Sequence, residues 1–159
     1  MKCKILNQLN WRVFLLSIIV VFFIASAGSF FTSPQVNSDW YESIRPEITP
    51  PSYVFPIVWN ILFLMISISL YIAWVNSEKK EKIKIIIIFG VNLFLNFLWS
   101  FLYFGLMNPK LAFFELIALW LSIILLIVVV YKIKKIAAYL LIPYFLWVSF
   151  AGYLNFLSF

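Results

Sequence analysis

Five uninterrupted apolar runs dominate this sequence: Val13–Phe31, Tyr53–Val75, Ile85–Leu106, Leu111–Tyr131 and Ile136–Phe156. A helix needs about 20 predominantly apolar residues to cross the hydrocarbon of a bilayer, and each run meets that length. Lipid offers no hydrogen-bond partners, so a spanning segment must satisfy its backbone within a helix or a closed barrel. The runs are continuous rather than alternating in polarity, which excludes barrel strands. Composition agrees, with 65% apolar and 11% charged residues, against about half and a quarter in soluble domains. The expected fold class is an all-α membrane protein, a five-transmembrane-helix bundle. No repeat or low-complexity tract divides it, so one domain over residues 1–159 is the economical expectation.

Lys and Arg fall unevenly between the connections. Ten lie before the first run, after the second and after the fourth; two, Arg45 and Lys110, lie on the other side. Positive residues favour the cytoplasmic face, so the N-terminus is expected inside and the C-terminus outside. The net charge of +6 expresses this bias and contact with anionic headgroups rather than nucleic-acid binding. Lys2, Lys4 and Arg12 ahead of an apolar run ending near Ala25-Ser26-Ala27 resemble a cleaved signal. The run continues through Phe30 and Phe31, so retention is expected.

Several chemistries are excluded by residue type. There is no His and a single Cys, Cys3, which rules out a His-ligated metal or haem, a Ser-His-Asp triad and a Cys-His pair. Metal ligation is not expected. Cys3, on the reducing side, is expected to be a free thiol, with palmitoylation the alternative. Glu115 is the one acidic residue inside a run. Such a residue is a functional candidate, but it sits about one turn from the run's outer end, where a structural or interfacial role is expected.

The aromatics are more informative. An interfacial belt accounts for Trp11, Tyr53, Tyr71, Trp74, Tyr131 and Tyr139, but not for Trp59, Trp99, Trp120 or Trp147, two or more turns inside their runs. Asn92, Asn96, Trp99 and Tyr103 follow one another at helical spacing and share a face. Tyr144, Trp147, Ala151 and Asn155 do the same in the fifth run. Phe55, Trp59 and Asn60 lie early in the second, and Ala25, Gly28 and Ser29 late in the first. Alternating topology places these groups at one depth, in the outer half. They are either interhelical packing or the wall of a cavity opening outward. The connection Ser33–Ser52 is the longest, and five of the seven prolines lie between Pro34 and Pro56. With Trp40, Tyr41 and Arg45 it has the makings of a stiff lid.

The chain resembles the TspO/translocator protein family (tryptophan-rich sensory proteins, peripheral-type benzodiazepine receptors), and a bacterial member of it. The matching blocks are Trp40-Tyr41, Arg45-Pro46, Pro50-Pro51, Pro56-Ile57-Val58-Trp59, Asn96-Phe97-Leu98-Trp99-Ser100 and Phe104-Gly105. They continue with Pro143-Tyr144-Phe145-Leu146-Trp147, Phe150-Ala151 and Leu154-Asn155, collinear from about Gly28. The resemblance implies a lid-like first loop, homodimers and a pocket for porphyrins and other flat hydrophobic ligands, with no covalent cofactor. Carried over by position, ligand-binding residues are Gly28, Ser29, Trp40, Tyr41, Trp59, Asn60, Asn96, Trp99, Trp147 and Ala151. The sterol-recognition pattern of animal relatives fails here, because Tyr153 is followed by Leu-Asn-Phe-Leu-Ser-Phe without a basic residue. The short tail, the Lys- and Ile-rich composition and the N-in topology favour a bacterial plasma membrane.

Three functions compete on this reading. The first is a receptor or transporter of tetrapyrroles, stacked on Trp and Tyr, with propionates near Arg45 or lid amides. The second is an enzyme degrading protoporphyrin IX oxidatively in light, with Trp59 and Trp147 as redox-active side chains. The third is a structural or lipid-binding bundle whose aromatics only pack.

Overall fold

The computed structural model describes residues 10–159; Lys2, Cys3 and Lys4 lie outside the described residues. Those described form helices and turns, with no strand among them. The first long helix, α1 (Trp11–Gln35), starts where the Asn10 side chain accepts from the Val13 amide, which satisfies one of the amides a helix start leaves free. It runs unbroken through Ala25–Ala27 and past Pro34. The short α2 (Asp39–Ile44) is capped by Ser38, whose Oγ accepts from the Tyr41 amide at 3.2 Å. Next come α3 (Val54–Asn76), α4 (Lys82–Ser100), α5 (Pro109–Ile133), α6 (Lys135–Tyr139) and α7 (Ile142–Phe156).

Five segments of this series are long and apolar enough to cross a membrane, with α6 and α7 together forming the fifth. Two depart from simple helices. Beyond Ser100, α4 widens into a π-helical turn over Phe101–Gly105, where the Leu106 amide donates to the Phe101 carbonyl at 2.8 Å, five residues back. Met107 then takes the left-handed region at φ 51°, and Asn108 caps α5 by accepting from the Leu111 amide at 2.9 Å. The fifth span, expected to be continuous, is interrupted at Leu140–Leu141. Pro143 has no amide hydrogen to donate one turn back, and it stands in the first turn of α7.

Around the bundle α1 packs between α3 and α4, α4 against α5, and α5 against α7. Gly152 permits the last contact, since a Cβ there would come within 2.9 Å of Leu116 Cδ2. Val21, Ile66, Phe89, Ile123, Val130 and Tyr144 fill the centre. Outside, apolar residues stand bare, Phe23 at 75% and Phe30 at 76% exposure, as helices facing lipid require. Polar side chains tie the spans from within. Asn92 Nδ2 donates to Ser122 Oγ at 2.8 Å, Trp120 Nε1 to Ser149 Oγ at 2.8 Å, and Ser69 Oγ to the Ala137 carbonyl at 2.8 Å. In lipid such bonds contribute about 1 kcal/mol each.

The α3–α4 and α5–α6 connections, with seven lysines in or beside them, gather at one end of the bundle. Lys82 Nζ lies 4.8 Å from the Trp74 ring centre and Lys135 Nζ 5.5 Å from that of Tyr131. The opposite end carries α2.

Candidate ligand-binding site

Below α2 the helices enclose a cavity of about 290 Å³. From α1 come Phe22, Ala25, Ser26, Gly28, Ser29, Thr32 and Ser33, and from α3 Phe55, Pro56, Trp59, Asn60 and Phe63. Asn96, Trp99 and Ser100 of α4 face them, followed by Tyr103 and Phe104 of the π turn and Ala151, Leu154 and Asn155 of α7, with Val36 and Tyr41 above.

The aromatic walls are held in place from behind. Trp99 stacks on Tyr103, centroids 5.0 Å apart and planes 29° off parallel. Its Nε1 donates to Asn155 Oδ1 at 3.0 Å, and Asn155 Nδ2 donates to the Pro109 carbonyl at 2.8 Å. The Tyr103 hydroxyl donates to Ser158 Oγ at 3.0 Å. These polar atoms are engaged within the bundle, so Trp99 and Tyr103 offer the cavity ring surface. The π turn contributes to this arrangement. An ordinary helix turns about 100° per residue, and the wider turn lets Tyr103 and Phe104 both face inward. On α3, Trp59 stacks on Phe63 at 5.2 Å and 25°. Asn96 Nδ2 donates to the Tyr144 hydroxyl at 3.3 Å, while its Oδ1 accepts nothing among the described residues.

Over the top, Tyr41 is buried and packs on Phe104 at 5.7 Å. Burial raises its phenol above the ordinary 10.0; Arg45 lowers it and Glu42 raises it, and the rise prevails. Tyr41 therefore stays an uncharged O–H donor through the neutral range.

Of the residues singled out from sequence, Gly28, Ser29, Tyr41, Trp59, Asn60, Asn96, Trp99 and Ala151 share this cavity. Two do not line it. Trp40 packs edge-on against Tyr103 at 5.9 Å and Phe104 at 6.5 Å, bracing the wall from outside. Trp147 sits behind Phe55 at 5.8 Å and borders a shallow apolar groove between α3 and α7. The reason is the rotation of α7. Its buried edge is Tyr144, Val148, Gly152 and Asn155, which turns Trp147 toward α3. Of the two indoles expected at the ligand, Trp59 lines this cavity and Trp147 does not. Arg45 is also off the wall, its Nη1 3.2 Å from Glu42 Oε1. Both Glu115 oxygens are buried without a hydrogen-bond partner among the described residues, and Glu115 is not on the cavity wall.

Sequence reasoning passed over Ser26, Thr32 and Ser33. The signal was present for two of them: Ser26, Ser29 and Ser33 recur at intervals of three and four, a polar stripe in a run from which only Ala25, Gly28 and Ser29 were singled out.

Comparison with known proteins matches the sequence profile of the TspO/MBR family to residues 17–158. The chain belongs to the TspO/MBR family. It is 44% identical over 141 residues to the tryptophan-rich protein TspO of Archaeoglobus fulgidus, covering 88% of this chain and 90% of that one. Identity to TspO of Chlorobaculum tepidum is 38% over 132 residues, covering 82% and 83%. Protein CrtK of Rhodobacter capsulatus is 30% identical over 144 residues, covering 89% and 90%. Family membership and the five apolar spans make this TspO/MBR protein an integral membrane protein.

Proposed function

We propose that this TspO/MBR-family protein binds porphyrins, such as protoporphyrin IX and haem-related tetrapyrroles, and other flat hydrophobic ligands, acting as a receptor or transporter. The observation that carries the reading is the composition of the wall. Trp59, Trp99, Tyr103 and Phe104 surround a cavity inside a membrane bundle, and their broad rings suit a flat π-ligand. A volume of about 290 Å³ lies at the lower edge of the ~300–1,000 Å³ of small-molecule sites. A whole tetrapyrrole therefore requires the α1–α3 seam or the α2 segment to yield. The basic end is proposed to face the cytoplasm of a bacterial plasma membrane, with the cavity and the C-terminus outward, and the protein to work as a homodimer.

One observation keeps the light-driven reading alive: Trp59, an oxidisable indole, stands on the wall. In that reading the bound porphyrin absorbs light and is oxidatively degraded. A spectroscopic titration with protoporphyrin IX, under dim and then bright light, separates the alternatives. Saturable one-to-one binding in dim light supports the binder. Loss of porphyrin absorbance on illumination, beyond that of free porphyrin, adds catalysis. Absence of binding leaves a structural or lipid-binding bundle.

A further inference from the structure

We propose that the cavity is reached sideways, through a seam between α1 and α3 open to the bilayer, and that its ligand is an amphiphile dissolved in lipid. The inference rests on the reading of the cavity as a binding site, but not on porphyrin as its occupant.

The exposure of the wall is one-sided. Its exposed members are Ser26, Ser29, Ser33, Pro56 and Asn60, all on α1 or α3; those from α4, the π turn and α7 are buried or half-buried. The α1 residues follow at intervals of three and four and the α3 pair at four, so each set forms a stripe along its helix. Together the stripes border a slot. At its deep end the slot is shut by Phe22 against Phe63, centroids 6.3 Å apart. Other routes are covered: Tyr41 on Phe104 closes the α2 end, and Phe55 against Trp147 closes the α3–α7 side.

Depth places this slot in hydrocarbon. Ser26 lies five residues before Phe31, where the apolar run ends, about 7 Å along the axis, against about 15 Å for half the hydrocarbon core. Exposed polar groups at that depth are costly unless satisfied. Two of them meet the requirement locally: Ser26 Oγ donates to the Phe22 carbonyl at 2.8 Å and Asn60 Nδ2 to the Pro56 carbonyl at 2.8 Å. The Ser26 hydroxyl and one Asn60 amide hydrogen are thereby masked from lipid, while the Ser26 and Asn60 oxygens and the second Asn60 N–H are left for the polar groups of a passing amphiphile.

The test uses Ala151→Cys in a Cys3→Ser background, reconstituted in nanodiscs so that both faces meet water. Two thiol probes are compared: bilayer-partitioned pyrene maleimide, and a charged sulfonatoethyl methanethiosulfonate in water. Each rate is normalised to Lys80→Cys at the exposed basic end. Lateral access predicts that pyrene maleimide labels residue 151 at least tenfold faster than the charged probe. Adding Ser29→Trp, or separately Ser26→Trp, slows it at least fivefold with melting temperature unchanged. Faster labelling by the charged probe, or no slowing by either tryptophan, overturns the proposal. Neither result depends on porphyrin, so failure of porphyrin binding is read separately.

Discussion

The Trp99–Asn155–Pro109 chain ties the cavity wall to α7 and to the start of α5, and its contribution to stability follows from its geometry. Asn155→Leu keeps the volume but removes both amide bonds, at 3.0 and 2.8 Å. The Trp99 bond contributes about 1 kcal/mol in a membrane bundle. The Pro109 carbonyl is in the first turn of α5 and retains its helical partner, so its loss costs less, about 0.5 kcal/mol. The expected destabilisation is about 1.5 kcal/mol, roughly tenfold in the folding equilibrium. Trp99→Phe removes one of the same bonds, so the double variant should show a coupling of about 1 kcal/mol. Reversible unfolding in mixed micelles, followed by far-UV ellipticity, measures all four proteins. A coupling below about 0.3 kcal/mol, the usual additivity error, would mean that Trp99 is held by ring packing alone.

Three further outcomes are expected. Gly90, whose added Cβ meets nothing within 4 Å, should accept Ala with a small rise in melting temperature, whereas Gly152→Leu, crowding Leu116, should lose about 1–3 kcal/mol. In a Cys3→Ser background, an impermeant thiol reagent on intact cells should label Ser38→Cys and spare Ser77→Cys; the reverse pattern would invert the topology. If bound protoporphyrin is degraded in light, Trp59→Phe at saturating ligand should slow the rate more than Trp147→Phe, with Trp11→Phe as control, and equal rates in all three would remove Trp59 from that chemistry.

The spans were legible because lipid imposes one requirement, an apolar run of fixed length, that any reader of hydropathy can apply. Trp59, Trp99 and Asn96 were legible for a related reason: polar and indole groups deep in a run need a bundle-facing role. What the spacing could not give was rotation. Trp147 and Ala151 share a face at four-residue spacing, yet Ala151 reaches the cavity and Trp147 stands behind Phe55. That outcome depends on how closely α7 approaches α5 at Gly152, a tertiary property. The π turn was hidden for the same reason, since one extra residue per turn leaves no mark in hydropathy. Residues Ser33–Ser52 read as one loop, but α1 extends to Gln35 and Ser38 caps a further helix. The Ser-x-x-Tyr stretch offered a cap without the apolar periodicity that would have announced α2.

The central claim is that the cavity between α1, α3, α4 and α7 is where a flat hydrophobic ligand sits. The most direct measurement is protoporphyrin IX titration, by tryptophan quenching in dim light, of the wild type, Ala151→Trp and Tyr153→Trp. Residue 151 lines the cavity, while Tyr153 is on the same helix with 54% exposure to the outside. The account predicts saturable one-to-one binding, weakened at least tenfold by Ala151→Trp and unchanged by Tyr153→Trp. Equal affinities in all three proteins, or no saturable binding to the wild type, would contradict it.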